Sequence, residues 1–408
     1  MNTPPVFRSL VGQVEATATL VAAAAAAAAI VRGEALGVAD PSSPGAAPSA
    51  SGMTHAWLFT GPPGSGRSVA ARAFAAALQC PDGGCDTCAQ CHTTLAGTHA
   101  DVRSVVPEGL SISVDEMRAL VRRAAGAPAG GRWQVVLIED ADRLTERASN
   151  ALLKAIEEPS PRTVFLLCTP STHPDDISVT IRSRCRVVTL RTPSAEAIAA
   201  MLEGEGHPAR TAQWAAAAAQ GHIGRARWLA RDPQARQRRE AVLAVPRRLT
   251  SIAACFDAAR ALVEATDAES KATVSDVDKR EREELELALG AGGTGKGAAA
   301  VGRGAAGALK ELEKRQKTRA TRATRDALDR ALIDLAAFYR DVLLRSVGAA
   351  VPPIHGDAAD DVAAAAGRWA PESTLRRLEA VLECRTAIDA NVKPQIAVEA
   401  MMVALWRP

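Results

Sequence analysis

The chain has 408 residues, 47% hydrophobic and 23% charged, with a net charge of +3. Such a composition excludes collagenous and disordered chains and fits two or three soluble globular domains. The excess of positive charge is too small for an autonomous DNA binder.

Aromatic residues make up only 3% of the chain, and alanine dominates its apolar fraction. Helix-rich cores packed from small side chains are therefore expected. No basic stretch followed by an apolar run opens the chain, so no signal peptide is expected. The longest apolar run, Val21–Val31, is too short to span a bilayer. A cytoplasmic protein with no membrane partner is the expectation. Its eight cysteines then suit a metal or free thiols better than disulfides.

In chain order, residues 12–32 read as an alanine-rich helix, and residues 38–52 as a flexible linker rich in Pro, Ser and Gly. Ala56–Thr60 is a short apolar strand that runs straight into Gly61-Pro62-Pro63-Gly64-Ser65-Gly66-Arg67-Ser68, after which Arg67–Leu78 reads as a helix. Strand, glycine loop and helix form the context in which backbone N–H groups and a helix N-terminus cradle phosphates. One position departs from the pattern: Arg67 stands where lysine reaches the β- and γ-phosphates. A planar, forked guanidinium does not replace a compact ammonium conservatively. Nucleotide binding with poor hydrolysis is the expectation.

Cys80, Cys85, Cys88 and Cys91 follow, spaced C-x4-C-x2-C-x2-C with glycine turns at Gly83 and Gly84. Four thiolates within twelve residues suit a closed, structural Zn²⁺ site, with an iron–sulfur cluster or free thiols as the competing assignments. His92 and His99 lie nearby, but four cysteines already complete the shell. Cys168, Cys185, Cys255 and Cys384 are scattered and read as small buried residues.

A helix is expected over 114–125, a strand over 133–138, a helix over 146–157, and further strands over 164–169 and 186–190. Strands that alternate with helices imply a parallel α/β sheet. The strand over 133–138 ends in Glu139-Asp140, where a nucleoside triphosphatase places its Mg²⁺ carboxylate and its water-orienting carboxylate. The two acids stand in the reverse of the usual order; the plainer interpretation is two solvated acids at a strand end. Arg184, within Arg182-Ser183-Arg184-Cys185, precedes the last strand. It could act in trans on a neighbour's γ-phosphate, or form an ordinary surface salt bridge.

Beyond Ser194 helical spacing takes over. Residues 266–308 read as a flexible insertion, because a dense charge run at 276–286 is followed by the Gly/Ala-rich stretch 290–307. Within it, Gly293-Thr294-Gly295-Lys296-Gly297 imitates a phosphate loop without a preceding strand. Long helices are expected over 308–347 and 371–406. On the first of these, Lys310, Lys314, Arg315, Lys317, Arg319, Arg322 and Arg325 spread around more than one face, as on a solvated helix.

These segments together resemble the delta-prime family of bacterial DNA polymerase III clamp-loader subunits. The stretches that carry the resemblance include Leu10-Val11-Gly12-Gln13, the strand and loop from His55 to Pro62, the cysteine module, Asn150–Pro159, Ser183-Arg184-Cys185, Gly221–Ala226 and Asn391–Gln395. It covers most of the chain except 38–52 and 266–308. It implies an α/β AAA+ P-loop core with a parallel sheet and an inserted zinc module (1–190, module 80–91), a small helical lid (191–243) and an all-α collar (244–408). It also implies a five-subunit ring with gamma/tau and delta subunits, a sliding clamp and primed DNA as partners. The chain would be a stator, a weak or inactive ATPase. By the same resemblance Arg184 is the trans arginine finger, Thr169 the first sensor and Arg225 the second. ATP or ADP with Mg²⁺ would lie against Gly61, Gly64, Ser65, Gly66, Arg67, Ser68, Glu139 and Asp140. A gamma/tau-type ATPase and a zinc-bearing scaffold with a vestigial nucleotide site are the competing assignments; Arg67 and the Glu139-Asp140 order speak against the former.

Overall fold

A computed structural model describes residues 3–34, 52–107, 109–130, 132–288 and 298–408. By internal contacts the chain divides into two compact units, Met1–Arg227 and Trp228–Pro408.

The first unit is built on five parallel strands: β1 (Ala56–Thr60), β2 (Val102–Val105), β3 (Gln134–Ile138), β4 (Thr163–Thr169) and β5 (Arg186–Thr189). Their order across the sheet is β2-β3-β4-β1-β5. Successive side chains on a strand point to opposite faces, so each central strand feeds two cores. Trp57 and Phe59 of β1, with Val135 and Leu137 of β3, pack with helices α1 (Val14–Val31) and α2 (Arg67–Gln79). Ala56, Leu58, Val136 and Ile138 face the other way. There they meet Met117 and Leu120 of the helix after α3 (Ala89–Leu95), namely α4 (Val114–Ala124), and Leu152 and Ile156 of α5 (Glu146–Glu157). Strands buried on both faces explain the continuous apolar runs in the sequence. The strand β2 escaped the sequence reading because it is a short edge strand whose Arg103 and Ser104 are exposed.

Helix starts follow local chemistry. Ser113 and Glu116 form a reciprocal capping box at α4, and the Thr145 hydroxyl accepts from the Ala148 N–H at α5. The short helix α6 (Val179–Arg182) precedes β5, and helices α7 (Ala195–Gly204) and α8 (Ala209–Ala218) pack together after it. Helix α1 has 18 residues and a mean hydropathy of 1.9, enough by length and composition to cross a membrane. The expectation of a run too short to span is corrected on that point. Its Leu20, Ala23 and Ala27 nevertheless belong to the core that faces α2.

The boundary between units falls within α9 (Ile223–Arg231). The second unit is helical: α10 (Pro233–Leu243), α11 (Val245–Arg248), α12 (Ile252–Ala288), α13 (Ala298–Ser346), α14 (Ala359–Arg368), α15 (Pro371–Asp389) and α16 (Pro394–Trp406). Its core gathers Leu332, Phe338, Tyr339, Val381, Val398 and Met402. The single helix expected over 371–406 is two helices. Asn391 turns left-handed at φ 67°, and Pro394 opens the next helix, where its missing N–H costs nothing.

The flexible insertion expected over 266–308 is corrected where its residues are described; residues 289–297 lie outside them. Residues 266–288 continue α12, and 298–308 begin α13. Between 271 and 286 only Val274 is buried, and between 307 and 326 only Leu312. Polar bridges complete this two-helix seam: Arg319 pairs with Asp278 and Glu281 at 2.8 Å each, and Arg282 with Glu313 at 3.1 Å. The charge run is thus a helix face satisfied across the hairpin. The loop-like segment 293–297 lies outside the described residues.

Candidate nucleotide and metal sites

The sites expected to hold nucleotide lie at the carboxyl ends of adjacent parallel strands, where open α/β sheets bind ligands. The glycine loop leaves β1, Glu139 and Asp140 leave β3, and Thr169 ends β4 between them, in register with Thr60. Two loop glycines have steric reasons to be glycine. A Cβ at Gly61 would stand 2.4 Å from the Leu190 carbonyl oxygen, and one at Gly64 (φ 85°) 2.5 Å from the Cα of His222. The turn before α9 is therefore seated on the phosphate loop. Gln13 ties a further segment to it: its side-chain amide donates to the Arg191 carbonyl (2.7 Å) and lies 3.5 Å from that of Ser65. The Ser65 hydroxyl is buried without a hydrogen-bond partner among the described residues. Ser68 is half-buried at the start of α2.

Arg67 folds back and donates to the carbonyl of Gly61, closing the loop on itself. Glu139 is nearly buried and is ion-paired with Arg72 of α2. Asp140 takes a left-handed conformation (φ 51°), with Arg143 Nε 3.9 Å from its carboxylate. Burial, reinforced by the Asp140 charge, pushes the carboxyl of Asp142 above its ordinary value. In P-loop sites Mg²⁺ is held by the loop Ser/Thr and a strand carboxylate. Those groups here are Ser68 and Glu139, and Glu139 is already neutralised by Arg72. The residues present do not fit an ordinary Mg²⁺ site.

Thr169 is fully buried, and its hydroxyl donates to the Ser171 carbonyl at 2.8 Å. Arg225 is buried on α9, and its N–H donates to Nδ1 of His222 at 3.2 Å. Arg184 sits in the turn between α6 and β5, exposed, with Nη2 2.8 Å from Glu157 Oε1 and Nη1 3.0 Å from the Thr180 carbonyl. Because β5 runs parallel to β1 with Arg186 opposite Trp57, Arg184 lies at the edge where strands begin. The phosphate loop lies at the edge where they end. Five strand residues separate these edges by about 17 Å.

The four cysteines meet as the spacing implied. Their sulfurs all lie within 4.8 Å of one another, Cys80 to Cys85 at 3.6 Å and Cys80 to Cys88 at 3.8 Å. Four sulfurs about 2.3 Å from one tetrahedral Zn²⁺ stand about 3.8 Å apart, so the set fits that ion. Left-handed Gly83 and Asp86 and the start of α3 bend the chain around it. Hydrogen bonds from the hydroxyl and backbone of Thr87 lower the Cys85 thiol to about 6, whereas burial raises that of Cys91. His92 and His99 bind elsewhere, to the Asp86 carbonyl and to the Gln90 side chain. Cys168, Cys255 and Cys384 are buried and Cys185 half-buried; burial raises all four thiols, Cys185 to about 12 and Cys384 to about 11. Such thiols are inert. Sequence reasoning missed Arg72, which belongs to no motif and joins the site only through the fold; His222 lies within the family-like stretch Gly221–Ala226, but its seat on Gly64 is visible only in the fold.

Residues 47–194 match a family described as "DNA polymerase III, delta subunit". The DNA polymerase III subunit delta' of Pseudomonas aeruginosa is 40% identical over 149 residues, 35% of this chain and 45% of the relative. That of Bacillus subtilis is 34% identical over 149 residues, 36% of this chain and 45% of the relative. The B. subtilis subunit tau is 35% identical over 150 residues, 36% of this chain and 26% of the relative. The chain therefore spans less than half the length of these relatives. Among solved structures, a gamma subunit-related protein of Thermotoga maritima aligns at a TM-score of 0.38 and 14% identity, covering 86% of this chain and 94% of that one. The strand–loop–helix core carries a phosphate-loop pattern on a parallel sheet, and residues 47–194 are similar to subunits of DNA polymerase III. Because delta' and tau relatives match to similar degrees, this segment does not separate the two subunit types.

Proposed function

We propose that the chain is a delta-prime-type stator of a bacterial, cytoplasmic clamp loader. In this account it joins gamma/tau and delta subunits in a five-membered ring and helps load a sliding clamp onto primed DNA. Its three parts would be the core 1–190, a lid 191–243 and a collar 244–408. Zinc held by Cys80, Cys85, Cys88 and Cys91 would fix the turn between α2 and α3 and take no part in chemistry.

The observation that carries this reading is the separation of Arg184 from the chain's own phosphate loop. An arginine at the strand-start edge does not serve the nucleotide at the strand-end edge of the same sheet. An exposed guanidinium held, among the described residues, by Glu157 and nearby oxygens can exchange that surface pair for a neighbour's phosphate. Arg67 supports the reading from the other side, because its guanidinium is spent on Gly61. The gamma/tau alternative draws on the retained Gly61, Gly64, Gly66 and Ser68 and on the tau relatives.

The test is ATP turnover of the purified full chain, alone and mixed with gamma/tau and delta subunits. The stator account expects stable assembly, no turnover by the chain alone, and none from Arg67→Lys. Turnover by the wild-type chain alone favours the gamma/tau reading.

A further inference from the structure

We propose that the pocket binds the phosphates of a nucleoside diphosphate without Mg²⁺, and that Arg72 supplies the fixed positive charge in place of the metal. This deepens the non-hydrolysing reading above and rests on it. Arg72 lies four residues after Ser68 on α2, so the two share a helix face one turn apart. Its guanidinium pairs with Glu139. Arg72 is thus joined to both groups on which a P-loop site builds its metal, by helix position to one and by a charge-assisted bond to the other.

The remaining acids at the end of β3 do not offer a replacement. Asp140 has Arg143 beside it, and Asp142 is shifted toward its neutral form by burial and by the Asp140 charge. Mg²⁺ demands near-octahedral oxygen ligands at about 2.0–2.1 Å and gives up its water reluctantly. To enter it would have to displace Arg72, leaving a guanidinium beside a divalent cation. The backbone of the anion side is retained, although the Arg67 guanidinium is engaged by Gly61. The loop glycines hold positive φ at Gly64 (85°) and Gly66 (94°), and α2 opens directly behind them, so backbone N–H groups remain available to phosphate oxygens. Arg72 is also about 44% exposed at its side chain, so it has room to meet a ligand oxygen while keeping Glu139.

The experiment measures ADP affinity of the full chain by calorimetry, with Mg²⁺ and with EDTA. Wild type should bind equally in both, within about threefold. Arg72→Ala should lose about tenfold or more in EDTA, the size of a charge-assisted contact, and should recover with Mg²⁺. Arg72→Lys, which keeps the charge, should stay near wild type in EDTA and so separates charge from folding defects. A wild-type requirement for Mg²⁺ of tenfold or more overturns the proposal, as does failure to bind ADP in either buffer. Assembly with gamma/tau and delta is scored on the same preparation: a chain that assembles without binding ADP refutes this inference alone, and one that does not assemble refutes the stator reading.

Discussion

The guanidinium of Arg184 lies 2.8 Å from the carboxylate of Glu157, the last residue of α5, and both side chains are about 40% exposed. Glu157 falls inside the Asn150–Pro159 stretch, so two of the most family-like segments meet in one surface ion pair. Exposed pairs contribute at most about 1 kcal/mol. Arg184→Ala should therefore change the stability of the full chain by less than about 1 kcal/mol in a denaturant titration. A larger loss would make Arg184 a structural residue.

One equivalent of zinc per chain is expected by metal analysis of protein purified without chelator. Cys91→Ser should remove it and lower the melting temperature by roughly 5–10 °C, because structural zinc contributes several kcal/mol to folding and about 2–4 °C follows each. Thiolates are the ligands, so zinc should be released as pH falls and protons compete for sulfur. A wild-type chain that melts normally without any bound metal would contradict this.

In the second unit His355 is fully buried among charged groups. Its Nδ1 accepts from Arg239 at 2.6 Å, its Nε2 lies 3.1 Å from the Asp334 carbonyl, and its N–H donates to Asp341 at 2.9 Å; Asp357 completes the set through Arg239. Burial, then the Arg239 charge, holds the imidazole below its ordinary value. The unfolded chain thus binds the extra proton more readily than the folded one. This contribution is intact above about pH 6.5 and is lost as pH falls from there toward the folded value. The urea midpoint should fall between about pH 7.5 and about pH 5, and His355→Gln should flatten the dependence. An equal slope in both proteins would exclude His355 as its source.

Arg319 bridges the hairpin of α12 and α13 where the seam has few apolar contacts. Arg319→Ala should raise amide exchange about tenfold in 271–286 and 307–320 and leave the core around Phe338 unchanged. Uniform exchange across both regions would mean that the hairpin and the core open together.

What the sequence made legible was local. The cysteine cluster could be read because its four ligands lie within twelve residues, and the central strands because burial on both faces leaves unbroken apolar runs such as Val135–Ile138. Edge strand β2 has no such run. The hairpin was misread because Arg319 finds Asp278 and Glu281 about forty residues away, and a charge run looks the same whether solvated or paired. Arg72 and Glu139 are 67 residues apart, and no motif joins them. The phosphate loop was legible as a pattern, but the inward turn of Arg67 depends on a backbone carbonyl that only the folded loop presents.

The most direct measurement is DNA-stimulated ATP turnover by the reconstituted ring, comparing wild type with Arg184→Ala and Arg184→Lys. The stator account predicts assembly in all three and a loss of about a hundredfold or more in the alanine ring, because an arginine acting in trans contributes about that much or more to phosphoryl transfer. Turnover unchanged by Arg184→Ala in an intact ring would contradict it.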